Sequence, residues 1–148
     1  MAHLPHTFIA SYIVCKQDNS VLLQRRFQTG FNDGMYSLPA GHVEEGESFT
    51  TTLYREIKEE IGIAPDPDYT SVQHIMHRNS ETERVYVDTY YVSEKWTGTP
   101  TNCEPDKCDD LSWHYLDNLP KNIIPYIQSA LENISQGIFY SEFGWDKK

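Results

Sequence analysis

Residues 48–62, SFTTTLYREIKEEIG, restrict what this chain can become more than any other stretch, because they read as an amphipathic helix with acids crowded beside its apolar seam. Phe49, Leu53, Ile57 and Ile61 recur at every fourth position, the spacing of a stripe that packs on a core. Ser48 suits the N-cap and Gly62 the stop. Glu56, Glu59 and Glu60 then fall within about a 100° arc bordering the stripe, so they are expected to face the body of the protein. Like charges three and four residues apart cost a helix roughly 0.2–0.5 kcal/mol per pair, and partial burial raises that cost. Two readings follow. The acids form a solvated face with Arg55 and Lys58 as intrahelical partners, or a hard divalent cation neutralises them. Magnesium takes oxygen ligands of this kind and leaves positions open to water and phosphate.

The wider spacing separates the two. Gly41 is followed after five residues by Glu47, and after seven more by Arg55-Glu56-Ile57-Lys58-Glu59-Glu60-Ile61-Gly62-Ile63. This segment resembles the Nudix box, G-x5-E-x7-R-E-U-x-E-E-x-G-U with U a bulky aliphatic residue, and matches it at every specified position. The flanks resemble the family too: Val21-Leu22-Leu23-Gln24-Arg25-Arg26 its second strand, and Tyr36-Ser37-Leu38-Pro39-Ala40 its approach to the box. Ala40 stands where a second glycine is common, and Thr52 where alanine is frequent.

The totals agree with a folded globule. A chain of 148 residues fits one domain, 1–148, with a full core. Hydrophobic content of 39%, with ten tyrosines and three tryptophans, argues against disorder. A net charge of −10 argues against nucleic acid or an acidic membrane as partner, since such binders present basic surfaces. It also requires cations to reverse the field locally wherever a phosphate-bearing ligand sits. No apolar run approaches a membrane span and MAHLPHTF lacks a signal-peptide core, so a cytoplasmic location is expected. Cys15, Cys103 and Cys108 form neither an even disulfide set nor a zinc spacing, which suits reduced thiols, the latter two as small loop residues.

Residues 7–15 and 21–26 read as a hairpin about Gln17-Asp18-Asn19-Ser20, and 28–34 as a loop. Strands at 71–78 and 84–92 flank a turn at 79–83; in the second, alternation predicts one face buried and one functional. A polar loop at 96–110, a strand at 111–116 and a helix at 123–136 follow, the helix starting near Asn122 with Pro125 in its first turn and ending at Gly137. The tail aromatics Phe139, Tyr140, Phe143 and Trp145 are expected to cover an edge or a partner subunit.

The resemblance implies an α/β (α+β) fold, an α/β/α sandwich with a mixed β-sheet between helices. It implies Mg2+, with Mn2+ possible in its place, held by Gly41, Glu56, Glu59, Glu60 and a loop carboxylate. Glu104, in Glu104-Pro105-Asp106-Lys107 ahead of the Trp113 strand, resembles the loop acid of the nucleoside triphosphate subgroup; the alternative is an acidic loop in which Asp106, Asp109 and Asp110 are equally anonymous. The general base is drawn from Glu59 or Glu104. Arg55 orients a neighbouring glutamate, and Glu47 supports the site through it. Arg26 is a candidate for contact with the substrate, Lys107 for its phosphate, and Tyr12, Tyr90 and Trp113 for stacking on a base, with core packing an equal account of the aromatics. The implied reaction is hydrolysis of a nucleoside triphosphate, oxidised or non-standard ones included, to the monophosphate and pyrophosphate. Another nucleoside diphosphate-linked or non-nucleotide diphosphate substrate is the alternative, and a non-catalytic nucleotide-binding module a third. No proline stands where the ADP-ribose subgroup carries one, and the S-Q-P-W-P-F-P array of the NADH subgroup is absent. The partner is thus a small nucleotide or other diphosphate, and the enzyme a monomer or homodimer.

Overall fold

The strand β1 (Thr7–Gln17) organises the sheet, because it offers apolar side chains to both faces and so can lie only in the middle. A computed structural model describes residues 3–146 apart from 5, 81 and 83. Met1, Ala2 and Pro5 of the leader reading, and Glu81 and Glu83 of the 79–83 turn, lie outside the described residues. After β1 come β2 (Ser20–Arg26), β3 (Tyr36–Ser37), β4 (Ala40–His42), helix α1 (Phe49–Ile61), β5 (Ala64–Pro65), β6 (Thr70–Asn79), β7 (Val85–Ser93), β8 (Trp96–Thr97), β9 (Cys108–Tyr115), helix α2 (Pro125–Ser135) and β10 (Tyr140–Phe143).

The main sheet runs β10-β6-β7-β1-β2-β3, with β4 also on β1 and β9 also on β2. It is mixed: β1 is parallel to β7 and antiparallel to β2 and β4, and β10 is parallel to β6. Along β1 the partner changes. Ala10 to Tyr12 pair with β4, whereas Lys16 and Gln17 pair with β2, so β2 diverges from β1 and a cleft opens between them.

Alternation divides the core. Tyr12 and Val14 pack with Leu23, Tyr90 and Ile127, Ala130 and Leu131 of α2. Ile13 and Cys15 pack with Leu22, Tyr91 and Leu53, Ile57 and Ile61 of α1. One helix therefore covers each face, the sandwich expected from the resemblance. At roughly 25 cal/mol per Å2 of apolar surface removed from water, these two layers supply the main drive to fold.

Four details differ from the sequence reading. Asp88 to Ser93 are buried without a break, because β7 lies between β6 and β1 under both helices, and only its start, Val85 to Val87, is half-buried. Strand β9 begins at Cys108 rather than 111, drawn on by pairing with β2, so Cys108 is a buried strand residue whose Sγ–H donates to Asp110 O. Within the expected 96–110 loop, β8 pairs with β5. Helix α2 is capped by Ile124 without a side-chain acceptor, while the Asn122 amide donates instead to Gly34 O at 2.8 Å. The tail covers an edge as anticipated: β10 pairs with β6, and the buried His74 ring lies 2.7 Å from both Ile138 O and Ser141 Oγ. Among the described residues no helix is long and apolar enough to cross a membrane.

Candidate active site

Helix α1 begins where Ser48 Oγ accepts from Thr51 N and ends where Gly62, at φ 73°, turns its N–H to Ile57 O and Lys58 O. Leu53 and Ile57 are fully buried, which fixes the rotation of the helix and hence the direction of its acids. Arg55 lies among them. Its Nε donates to Glu47 Oε2 at 2.7 Å, Nη2 to Glu47 Oε1 at 2.9 Å, and Nη1 to Glu56 Oε1 at 2.8 Å. Glu44 and Glu59 approach the same guanidinium at 2.9 and 3.6 Å. Glu47 is thereby pushed down to about 2, first by the Arg55 hydrogen bonds and then by the Glu44 amide. Arg55 is spent on carboxylates, and its fork holds Glu56 in one orientation.

Glu60 is set deeper, in the wall between α1 and β4. Its Oε1 accepts from Gln24 Nε2 at 3.2 Å and Ala40 N at 3.3 Å. Burial, and then the neighbouring charge of Glu56, raise it to about 8, with Glu104 adding to the effect. The loop before β9 runs beside the end of α1, where Cys103 N donates to Glu60 O at 3.0 Å, and so carries Glu104 to the side of the helix acids. Gly41 leaves Glu56 the space for its orientation: a Cβ there would overlap Cγ and Cδ of Glu56. Glu59 differs from the expectation that all three acids face inward, since its side chain is 54% exposed at the rim.

Do these residues suit a divalent cation? The donors are all oxygen, the preference of Mg2+, and Glu60 is a half-buried carboxyl crowded by two others, a position that a cation relieves. Among the described residues no three His, Cys, Asp or Glu side chains are drawn together tightly enough to enclose an ion, because Arg55 engages Glu56 and Glu59. The chemistry of the set fits; its closure around an ion requires side-chain rotation.

Beside Glu60 and Gly41 opens a cleft of about 740 Å3. Tyr12, Arg26 and Lys107 line it; Trp113 does not. Trp113 instead stacks on Trp96, ring centroids 6.0 Å apart, beside the α1 layer of the core. Tyr12 floors the cleft, stacked on Tyr90 at 4.7 Å. Arg26 is partly committed, donating from Nε to Phe31 O at 2.6 Å and from Nη2 to Thr29 Oγ1 at 3.0 Å, which holds the 28–34 loop over the cleft. Lys107 is exposed at the mouth.

The sequence reading named no role for Arg78, Arg84 and Tyr126, which also line the cleft, as does Tyr86 from one of the two alternating faces of β7. Arg78 is 4% exposed and its Nε donates to the fully buried Asp88 at 2.7 Å. A signal existed: His74, Met76 and Arg78 alternate on the buried side of β6, so a charge at that period demanded a partner on β7.

Residues 5–133 match the family model described as NUDIX domain. The NAD-capped RNA hydrolase NudC of Stutzerimonas stutzeri is 27% identical over 118 residues, which span 80% of this chain and 40% of that protein. The 8-oxo-dGTP diphosphatase of Proteus vulgaris is 34% identical over 55 residues, 37% of this chain and 49% of that one. The chain therefore spans less than half the length of these curated relatives. A solved structure of a MutT NUDIX hydrolase from Burkholderia pseudomallei superposes with a TM-score of 0.79 at 26% identity, covering 86% of this chain and 97% of that one. The relatives' names differ in substrate, so the likeness speaks for family and fold.

Proposed function

Since the chain belongs to the Nudix family, we propose that it is a magnesium-dependent pyrophosphohydrolase cleaving a nucleoside triphosphate, oxidised or non-standard ones included, to the monophosphate and pyrophosphate. One observation carries the reading: a single cleft joins the acid end of the helix, at Gly41 and Glu60, to the cations Arg26, Arg84 and Lys107. In a chain of net charge −10, that is where a polyphosphate finds both partners it needs.

The ion would be held by Glu56, Glu59, Glu60, Glu104 and the backbone at Gly41. Mg2+, or Mn2+ in its place, supplies charge neutralisation on phosphate oxygens and a lowered pKa for bound water. The chain supplies the rest. Arg55, anchored by Glu47, orients Glu56 and is a positioning residue. Glu59 or Glu104 accepts the proton of the attacking water, Glu59 standing at the exposed rim with only a 3.6 Å approach to Arg55. Lys107 and the remaining donors of Arg26 hold the phosphate tail, and Tyr12 underlies the substrate. The free thiols suit a reducing compartment, and we place the enzyme in the cytoplasm acting on small molecules.

A panel of triphosphates, sugar nucleotides and dinucleoside polyphosphates, assayed with and without Mg2+, tests this. Pyrophosphate release from triphosphates, abolished by chelation and by Glu59→Gln or Glu104→Gln, is the expected result. Orthophosphate release, or turnover without metal, would refute it. A second reading, a diphosphate joining a nucleoside to another group, is favoured by an adjoining cavity of about 710 Å3 that shares Phe31, Arg78, Ser80 and Tyr126 with the cleft. It predicts poor triphosphate turnover in the same panel.

A further inference from the structure

The inner end of the cleft, away from α1, is built around one buried cation. The Arg78 guanidinium lies between two rings, its Cζ 4.2 Å from the centroid of Tyr86 and 3.8 Å from that of Tyr126. Asp88 takes its Nε–H at 2.7 Å and approaches Nη2 at 3.5 Å. Nη1 meets no protein acceptor among the described residues. It is not sealed in either, because the only buried side-chain nitrogen or oxygen there without a partner is the Tyr90 hydroxyl. The free donors of Arg78 therefore open onto the cleft, at the wall it shares with the second cavity.

A buried ion pair is a weak stabiliser compared with well-packed apolar residues, so stability alone accounts poorly for this arrangement. Recognition accounts for it better. Salt bridge and ring sandwich hold the guanidinium in one place before any ligand arrives. What it shows the cleft is donors only, since arginine has no acceptor and the Asp88 carboxylate, 0% exposed, is out of reach.

We propose that Arg78 is a specificity-determining residue that reads the ring of the bound nucleotide, donating from Nη1 to a ring oxo group and so selecting 6-oxopurines and 4-oxopyrimidines over their amino counterparts. An oxo group, with the purine N7 beside it, accepts what the guanidinium gives. An exocyclic amine at that place sets donor against donor and leaves both buried without a partner. The inference rests on the nucleotide reading above, but its test does not depend on turnover.

Equilibrium binding of GMP, UMP, AMP and CMP to the full chain, in metal-free buffer, measures the preference directly. Wild type is expected to bind GMP and UMP on the order of tenfold more tightly than AMP and CMP. Arg78→Lys keeps a charge beside Asp88 but loses the planar fork, so the preference collapses to near unity while affinity for inorganic pyrophosphate is unchanged. Equal wild-type affinity for the four, no saturable binding of any, or a folded Arg78→Lys protein with the preference intact overturns the assignment. The wild-type measurement decides even where the variant does not fold. Loss of triphosphate turnover with the preference retained overturns only the proposed reaction.

Discussion

Gly41→Ala is the substitution that separates the geometry of the acid site from the stability of the fold. A Cβ at 41 would overlap Cγ and Cδ of Glu56 and come within 2.8 Å of its Oε1. Ordinary carbon contacts are about 3.5–4.0 Å, so the Glu56 arm must retreat by on the order of 1 Å or more. That retreat takes Oε1 off Arg55 Nη1, now at 2.8 Å, and shifts a proposed cation ligand. The obstructing atoms belong to a flexible, partly exposed side chain and not to backbone, so the fold accommodates the change. Stability should move by less than about 1 kcal/mol, as for a surface substitution. A misplacement of about 1 Å costs a reaction on the order of 100-fold, or about 2.7 kcal/mol in the barrier. The assay is Mg2+-dependent pyrophosphate release from the best triphosphate, beside a urea denaturation curve. A Gly41→Ala enzyme with wild-type kcat/KM would refute the claim that Glu56 must sit against residue 41. Loss of activity that tracks loss of stability would refute the claim that the two are separable.

Three further outcomes follow from single contacts. Asp88→Ala leaves the Arg78 guanidinium buried without its counter-ion and should cost about 3–5 kcal/mol; a denaturation midpoint equal to wild type would show that the pair is solvated. Ile57→Ala, at the fully buried centre of the α1 stripe, should lose about 2–5 kcal/mol by calorimetry or urea, and a smaller loss would mean that the layer is loosely packed. Asp110 is held below the ordinary carboxylate range, first by the Tyr36 hydroxyl and then by Ser112 despite opposing burial. A depressed folded pKa contributes stability that is present above the unfolded value of about 3.9 and is lost as pH falls through the folded one. Tyr36→Phe should therefore be less stable than wild type at pH 7, and the gap should shrink on acidification below about pH 4. A gap independent of pH would assign the loss to packing of Tyr36 alone.

How much of this was legible beforehand depended on range. Ser48, Gly62 and the stripe from Phe49 to Ile61 define α1 from contacts within a few residues, so the helix could be read from the chain with its cap and stop. The same holds for the β1–β2 hairpin and the β6–β7 pair. Local order failed where a partner far along the chain decided the outcome: β2 draws β9 back to Cys108, and Gly34 takes the Asn122 amide from the start of α2. Trp113 shows the same limit, since its stacking on Trp96 and not on the cleft is set by which side of β9 faces α1.

By itself the sequence determined the family, the helix and the acids it carries, because a box of that spacing encodes its own turn, stripe and charge. Only the tertiary structure decided how those acids differ from one another. Glu60 is raised by burial under β4, Glu56 is turned by Arg55 against Gly41, and Glu59 stands at the rim, though all three belong to one short run of helix. It alone placed Arg78 against Asp88 at the far end of the same cleft. The physical reason is that desolvation and charge pairing act through space. The neighbours that tune these groups come from β2, β4 and β7, and pairing of those strands, not adjacency in the chain, brings them there.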